Sequence, residues 1–104
     1  MSPRSAARLT VFGVVQGVGF RPYVYRLALR LGLDGWVENA GSGVEIHIEG
    51  PSAAILKRFP ASLHASLPPL AAIEKLDLRA AVVEGLRGFE IRKTRDGRGF
   101  VFVS

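Results

Sequence analysis

Hydrophobic positions along this chain switch between two periods, and each switch marks an element. Residues 8–12 alternate, with Leu9 and Val11 on one side, and predict a first strand. Beyond a glycine-rich stretch the period lengthens. Phe20, Val24, Leu27, Ala28 and Leu31 fall on one side of a helix, with Arg26 and Arg30 opposite. The helix is expected over 21–31, because Pro22 suits a first helical turn and Gly32 offers a C-terminal stop. The two-residue period returns at 34–39 and 43–49, two strands joined by a glycine-bearing connection as a hairpin. In the second of these, Val44, Ile46 and Ile48 are expected to face the core, and Glu45, His47 and Glu49 to face solvent.

Pro51 and Ser52 open a second helix carrying Ile55, Leu56 and Phe59. Pro60 interrupts it, leaving 60–66 as either a kinked continuation or a separate short turn. Leu67-Pro68-Pro69-Leu70 marks the exit. A fourth strand over 73–83 alternates Leu76, Leu78 and Ala80 with Lys75, Asp77 and Arg79. Gly85 to Gly88 form a turn, and a fifth strand follows over 88–93. The order β-α-β-β-α-β with an extra C-terminal strand is that of an α+β, ferredoxin-like sandwich: two helices on one face of an antiparallel sheet. Residues 1–6, small and polar, read as a flexible leader.

Composition narrows the function classes. A chain of 104 residues with 48% hydrophobic content is expected to fold as one domain. No apolar run approaches the roughly 20 residues of a membrane span, and the first residues lack the apolar stretch of a secretory signal. With no cysteine there is no disulfide and no thiolate nucleophile or metal ligand, so a cytoplasmic protein is expected. The net charge of +5 suits an anionic partner. Nucleic acid is not expected to be that partner: the arginines are dispersed until the last four, and no aromatic platform accompanies them.

The stretch 13–21, GVVQGVGFR, is the best candidate for chemistry. A glycine-rich turn between a strand and a helix N-terminus can aim successive backbone N–H groups at an anion, and the helix end adds partial positive charge. Gly13, Gly17 and Gly19 permit left-handed backbone or close approach to a ligand, and Arg21 adds a planar fork of donors suited to phosphate. The plain alternative is a tight connection with a surface arginine.

That run, followed by GWVEN at 35–39 and a glycine at 43, resembles the acylphosphatase family. The residues RPYVYRLA from 21, Pro68-Pro69-Leu70-Ala71 and GFEIRKT from 88 are most similar to the acylphosphatase-like N-terminal domain of the hydrogenase-maturation carbamoyltransferases HypF. The resemblance covers roughly 7–94. It implies that the loop of Gln16, Gly17, Val18, Gly19, Phe20 and Arg21 binds phosphate, and that Arg21 and Asn39 are catalytic. Asn39 would hold a water with its carboxamide and aim a lone pair at phosphorus. Taken alone, an asparagine before Ala40-Gly41 reads better as a turn residue.

The implied reaction is hydrolysis of an acyl phosphate, carbamoyl phosphate above all, to carboxylate or carbamate plus inorganic phosphate, without metal or cofactor. The rival implied by the same resemblance is a non-catalytic phosphate-binding or docking domain of a larger carbamoyltransferase. Other candidates are weaker. His47 reads as a surface histidine, and His64 has no evident partner, so the pair makes no metal site. Trp36 reads as core or edge packing with at most a minor part in shaping the pocket. Ser42, Ser52, Ser62 and Ser66 lack a base at motif spacing. Residues 95–104 read as a turn followed by an apolar run, 100–103, expected to meet a neighbouring domain, the chain's own sheet or a second copy.

Overall fold

Seven elements carry the chain in the computed structural model, which describes residues 4–93. They are β1 (Ser5–Val14), α1 (Phe20–Leu31), β2 (Asp34–Ala40), β3 (Gly43–Gly50), α2 (Ala53–Ala65), β4 (Ala72–Ala81) and β5 (Phe89–Ile91). The sheet order is β4-β1-β3-β2-β5. All neighbours are antiparallel except β5, which lies parallel to β2. This is the expected ferredoxin-like α+β sandwich with its extra strand, although that strand runs parallel rather than antiparallel. The leader expected over 1–6 does not extend to Ser5 and Ala6, which pair with Gly50 and Glu49 in β1. The expectations for 95–104 fall outside the described residues.

Register explains the core. Leu78, Leu9, Ile46 and Val37 lie in one row across four strands, and Leu76, Val11, Val44 and Asn39 in the next. Both rows face the helices, whose Phe20, Val24, Leu27, Leu56, Phe59 and Leu63 close the core. Each fully buried side chain of this size contributes about 1.5–3 kcal/mol relative to exposure, so the register is strongly specified; a one-residue slip would turn it to the other face. α1 starts on Gly19 and stops on Gly32, both with left-handed backbone. α2 starts on Ser52, whose hydroxyl accepts from Ile55 N–H at 3.3 Å, and runs through Pro60 as one helix. The Tyr23 hydroxyl ties the two helices by donating to the Leu63 carbonyl at 2.7 Å, one of the orphan acceptors at the end of α2. Among the described residues, no helix is long and apolar enough to cross a membrane.

The opposite face of the sheet departs from expectation. His47 and Glu49 are fully buried rather than solvent-facing. The cause is the connection between β4 and β5, which must travel from one edge of the sheet to the other and does so across this face. The Glu49 carboxylate accepts from the N–H groups of Glu84, Gly85 and Leu86 as the connection passes. Further along, Gly88 exchanges hydrogen bonds with β2: its N–H donates to Asp34 Oδ1 at 2.8 Å, and its carbonyl accepts from Gly35 N–H at 2.9 Å. Glu45 stays partly exposed and pairs with Arg79.

Candidate active site

β1 ends at Val14 and α1 begins at Phe20, and the loop between them is anchored from within. Val15 is 1% exposed and turned into the core, whereas Gln16, Gly17 and Gly19 are exposed. Gly17 and Gly19 have φ of +74° and +79°, which disfavours any residue with a Cβ. A Cβ built on either would meet nothing within 4 Å, so the conformation requires glycine there and crowding does not. Gly19 provides no side-chain cap, and the first turn of α1 holds no acidic residue. The helix end therefore keeps its free N–H groups and its partial positive charge.

Two side chains fix this loop to the rest of the molecule. Gln16 Nε2 donates to the carbonyl oxygens of Gly41 at 2.9 Å and Gly43 at 2.8 Å, binding the loop to the turn between β2 and β3. Arg21, at the second position of α1, donates from Nη1 to the Arg92 carbonyl at 2.9 Å. The rest of its fork makes no hydrogen bond among the described residues. Asn39 comes from the last turn-ward residues of β2, on the helix-covered face, and is 7% exposed. It lies two positions before Gly41, whose carbonyl Gln16 holds. Gln16 thus links the arginine-bearing loop and the asparagine-bearing strand.

Chemically, this corner combines backbone donors, a helix end and a guanidinium, all suited to a phosphoryl group, with a neighbouring carboxamide able to donate and accept. Among the described residues no carboxylate hydrogen-bonds to the loop. Trp36 is buried but belongs to the opposite face of β2 from Asn39, so it does not shape this corner directly. His64 is exposed in the last turn of α2. Ser52 is spent on the helix cap.

A second polar cluster occupies the covered side of the sheet. His47 stacks on Trp36 with ring centroids 5.5 Å apart and 14° between planes. Its Nδ1 accepts from Arg8 Nε at 3.3 Å, so Nε2 carries the proton and donates to Glu49 Oε2 at 2.8 Å. Arg8 also binds Glu84 at 2.9 Å. Burial works to raise the Glu49 carboxyl, but hydrogen bonds from Glu84 N–H, His47 and Leu86 N–H outweigh it. The net result lies below the ordinary carboxylate value. Ligand-type atoms of His47, Glu49 and Glu84 lie within 4.8 Å of one another. Both oxygens of Glu49 are already taken, Oε1 by the N–H groups of Gly85 and Leu86 and Oε2 by those of Glu84 and His47, so the cluster is built as a latch for the β4–β5 connection. Sequence reasoning missed it because nothing local announces that a distant segment will cover a charged strand face. It also missed the Arg92 carbonyl, since a backbone acceptor leaves no residue-type signal.

The chain matches the acylphosphatase family model over residues 7–97. Carbamoyltransferase HypF2 of Cupriavidus necator is 49% identical over 92 residues, covering 86% of this chain and 11% of that protein. An acylphosphatase of Nocardioides sp. is 46% identical over 90 residues, covering 86% of this chain and 89% of the relative. Among solved structures, full-length HypF in its phosphate- and nucleotide-bound form superposes with a TM-score of 0.83 at 33% identity, over 93% of this chain and 13% of that one. The chain therefore spans about a tenth of the HypF relatives and most of the acylphosphatase.

Proposed function

Since the chain belongs to the acylphosphatase family, we propose that it hydrolyses acyl phosphates, with carbamoyl phosphate as the preferred substrate, in a cytoplasmic setting. The observation that carries this reading is the tie from Gln16 to Gly41 and Gly43, which puts the phosphate-type loop beside the strand end that bears Asn39.

In this mechanism the loop N–H groups of 16–21, the α1 N-terminus and Arg21 bind the phosphoryl oxygens. Their charge complementarity accelerates the reaction only as far as it strengthens toward the transition state. Asn39 holds a water and aims it in line with the bond to the acyl oxygen. A new P–O bond forms from the water as the bond to the acyl oxygen breaks. The electron pair leaves with the carboxylate, or with carbamate when the substrate is carbamoyl phosphate. A carboxamide is a poor base, so the water's proton passes to a phosphoryl oxygen of the substrate itself, and the products are carboxylate and dihydrogen phosphate.

A second reading is favoured by the HypF relatives, of which this chain spans about a tenth. In it the corner grips the phosphate end of a ligand without hydrolysing it, as a docking domain of a hydrogenase-maturation carbamoyltransferase. Phosphate release from acetyl and carbamoyl phosphate, measured with a chelator present, separates the two. Release from either supports hydrolysis; no release from both, with retained phosphate binding, leaves only the docking reading.

A further inference from the structure

We propose that Arg92 is a positioning residue for Arg21: its backbone carbonyl orients the guanidinium, and its side chain clamps that carbonyl in place. The proposal rests on the reading of Arg21 as the phosphate-binding arginine.

The Arg92 peptide is held from two sides. Its N–H donates to the Val37 carbonyl at 2.8 Å, extending the β2–β5 ladder by one bond, and its carbonyl accepts from Arg21 Nη1 at 2.9 Å. The strand leading to it is weak. β5 has three residues on a sheet edge, and only Phe89 among them is buried. A strand so short and so exposed opens readily unless something else holds it.

The Arg92 side chain supplies that hold. It turns back over the covered face of β2, where Cζ lies 4.3 Å from the centroid of the Trp36 ring and Nη1 lies 3.7 Å from Glu38 Oε1. Both anchors are firm: Trp36 is 5% exposed and stacked on His47, and the Glu38 side chain is 8% exposed. A guanidinium over an indole face, beside a largely desolvated carboxylate, is a more persistent contact than a surface ion pair. A continuous run of contacts thus leads from His47 through Trp36 and Arg92 to the guanidinium of Arg21. Without the clamp, the Arg92 carbonyl moves with a frayed strand, and Arg21 must be ordered anew each time phosphate binds. A misplacement of about 1 Å in a positioning group is enough to cost about a hundredfold in rate.

The test compares wild type, Arg92→Ala, Arg92→Lys and Glu38→Gln in three measurements: steady-state kinetics with acetyl phosphate, affinity for inorganic phosphate, and the Nε–H resonance of Arg21. Every variant keeps the Arg92 carbonyl, so any effect reports its placement. Arg92→Ala is expected to lower kcat/KM by about ten- to a hundredfold, to weaken phosphate binding in step, and to broaden or lose the Arg21 resonance while the core amide spectrum is kept. Arg92→Lys, which can still place a cation near Trp36 and Glu38, should recover most of the loss, and Glu38→Gln should show a smaller loss of the same kind. Wild-type kinetics, phosphate affinity and Arg21 resonance in Arg92→Ala would overturn the proposal. If Arg92→Ala does not fold, Glu38→Gln decides, and its behaving as wild type in all three overturns the proposal equally. A wild-type protein that binds phosphate without turnover would defeat the hydrolytic reading alone, because affinity and the Arg21 resonance still report on positioning.

Discussion

The side-chain amide of Gln16 donates to the carbonyl oxygen of Gly43 across 2.8 Å, and so joins the β1–α1 loop to the start of β3. Because Gly43 pairs with Ala40, the neighbour of Asn39, this bond sets the distance between loop and carboxamide. Gln16→Ala is therefore expected to lower kcat by about tenfold with little change in phosphate affinity. Gln16→Glu should cost more, since it faces two carbonyls with an acceptor and brings a negative charge to the anion site. Steady-state rates for both variants check the order; a Glu variant as active as wild type contradicts it.

Arg21→Ala is expected to lose phosphate binding and turnover together, with kcat/KM falling by about 10²–10³-fold. Arg21→Lys should recover little of this, because an ammonium cannot both bond the Arg92 carbonyl and present a planar fork to the phosphoryl oxygens. Calorimetric titration with phosphate alongside kinetics makes the comparison.

His47→Ala should act on stability and leave the chemistry alone. It removes the stack on Trp36 and leaves Glu49 and Arg8 each short of a partner, at a cost of about 1–3 kcal/mol. Urea unfolding is expected to show that loss while kcat changes by less than a few-fold. A large drop in activity with unchanged stability would show instead that the stack on Trp36 carries through Arg92 to the site.

The depressed Glu49 carboxyl makes an acid-side prediction. Its contribution is fully present above the ordinary glutamate value of about 4.3. It declines as pH falls below that value through the lowered folded-state one, because the unfolded chain then binds more protons. The stability difference between wild type and Glu49→Gln should accordingly be largest near neutral pH and shrink below about pH 4. Urea midpoints at several pH values measure it; a difference that grows on acidification would contradict the latch.

What the sequence makes legible here is what local chemistry controls. α1 is readable to within a residue because Pro22 and Gly32 punctuate it and its apolar stripe is unbroken. The β2–β3 hairpin and the Ser52 start of α2 are local in the same sense. β1 is longer than its alternation suggests, because Ser5 and Ala6 owe their strand conformation to Gly50 and Glu49 about 45 positions away. Long-range topology is also what hides His47 and Glu49 and turns β5 parallel. At the candidate site, Arg21 and Asn39 were legible through a family resemblance, not through spacing alone. The bonds that connect them, from Gln16 to Gly43 and from Arg21 to Arg92, end on backbone carbonyls that any residue carries.

In the proposed reaction Asn39 positions water for a phosphoryl group that Arg21 and the loop hold. Phosphate release from acetyl and carbamoyl phosphate by Asn39→Ala, with phosphate affinity measured on the same preparation, isolates that step. Turnover should fall by about 10²-fold or more while phosphate affinity stays within a few-fold of wild type. Turnover that survives the substitution, or affinity lost as heavily as in Arg21→Ala, would contradict it.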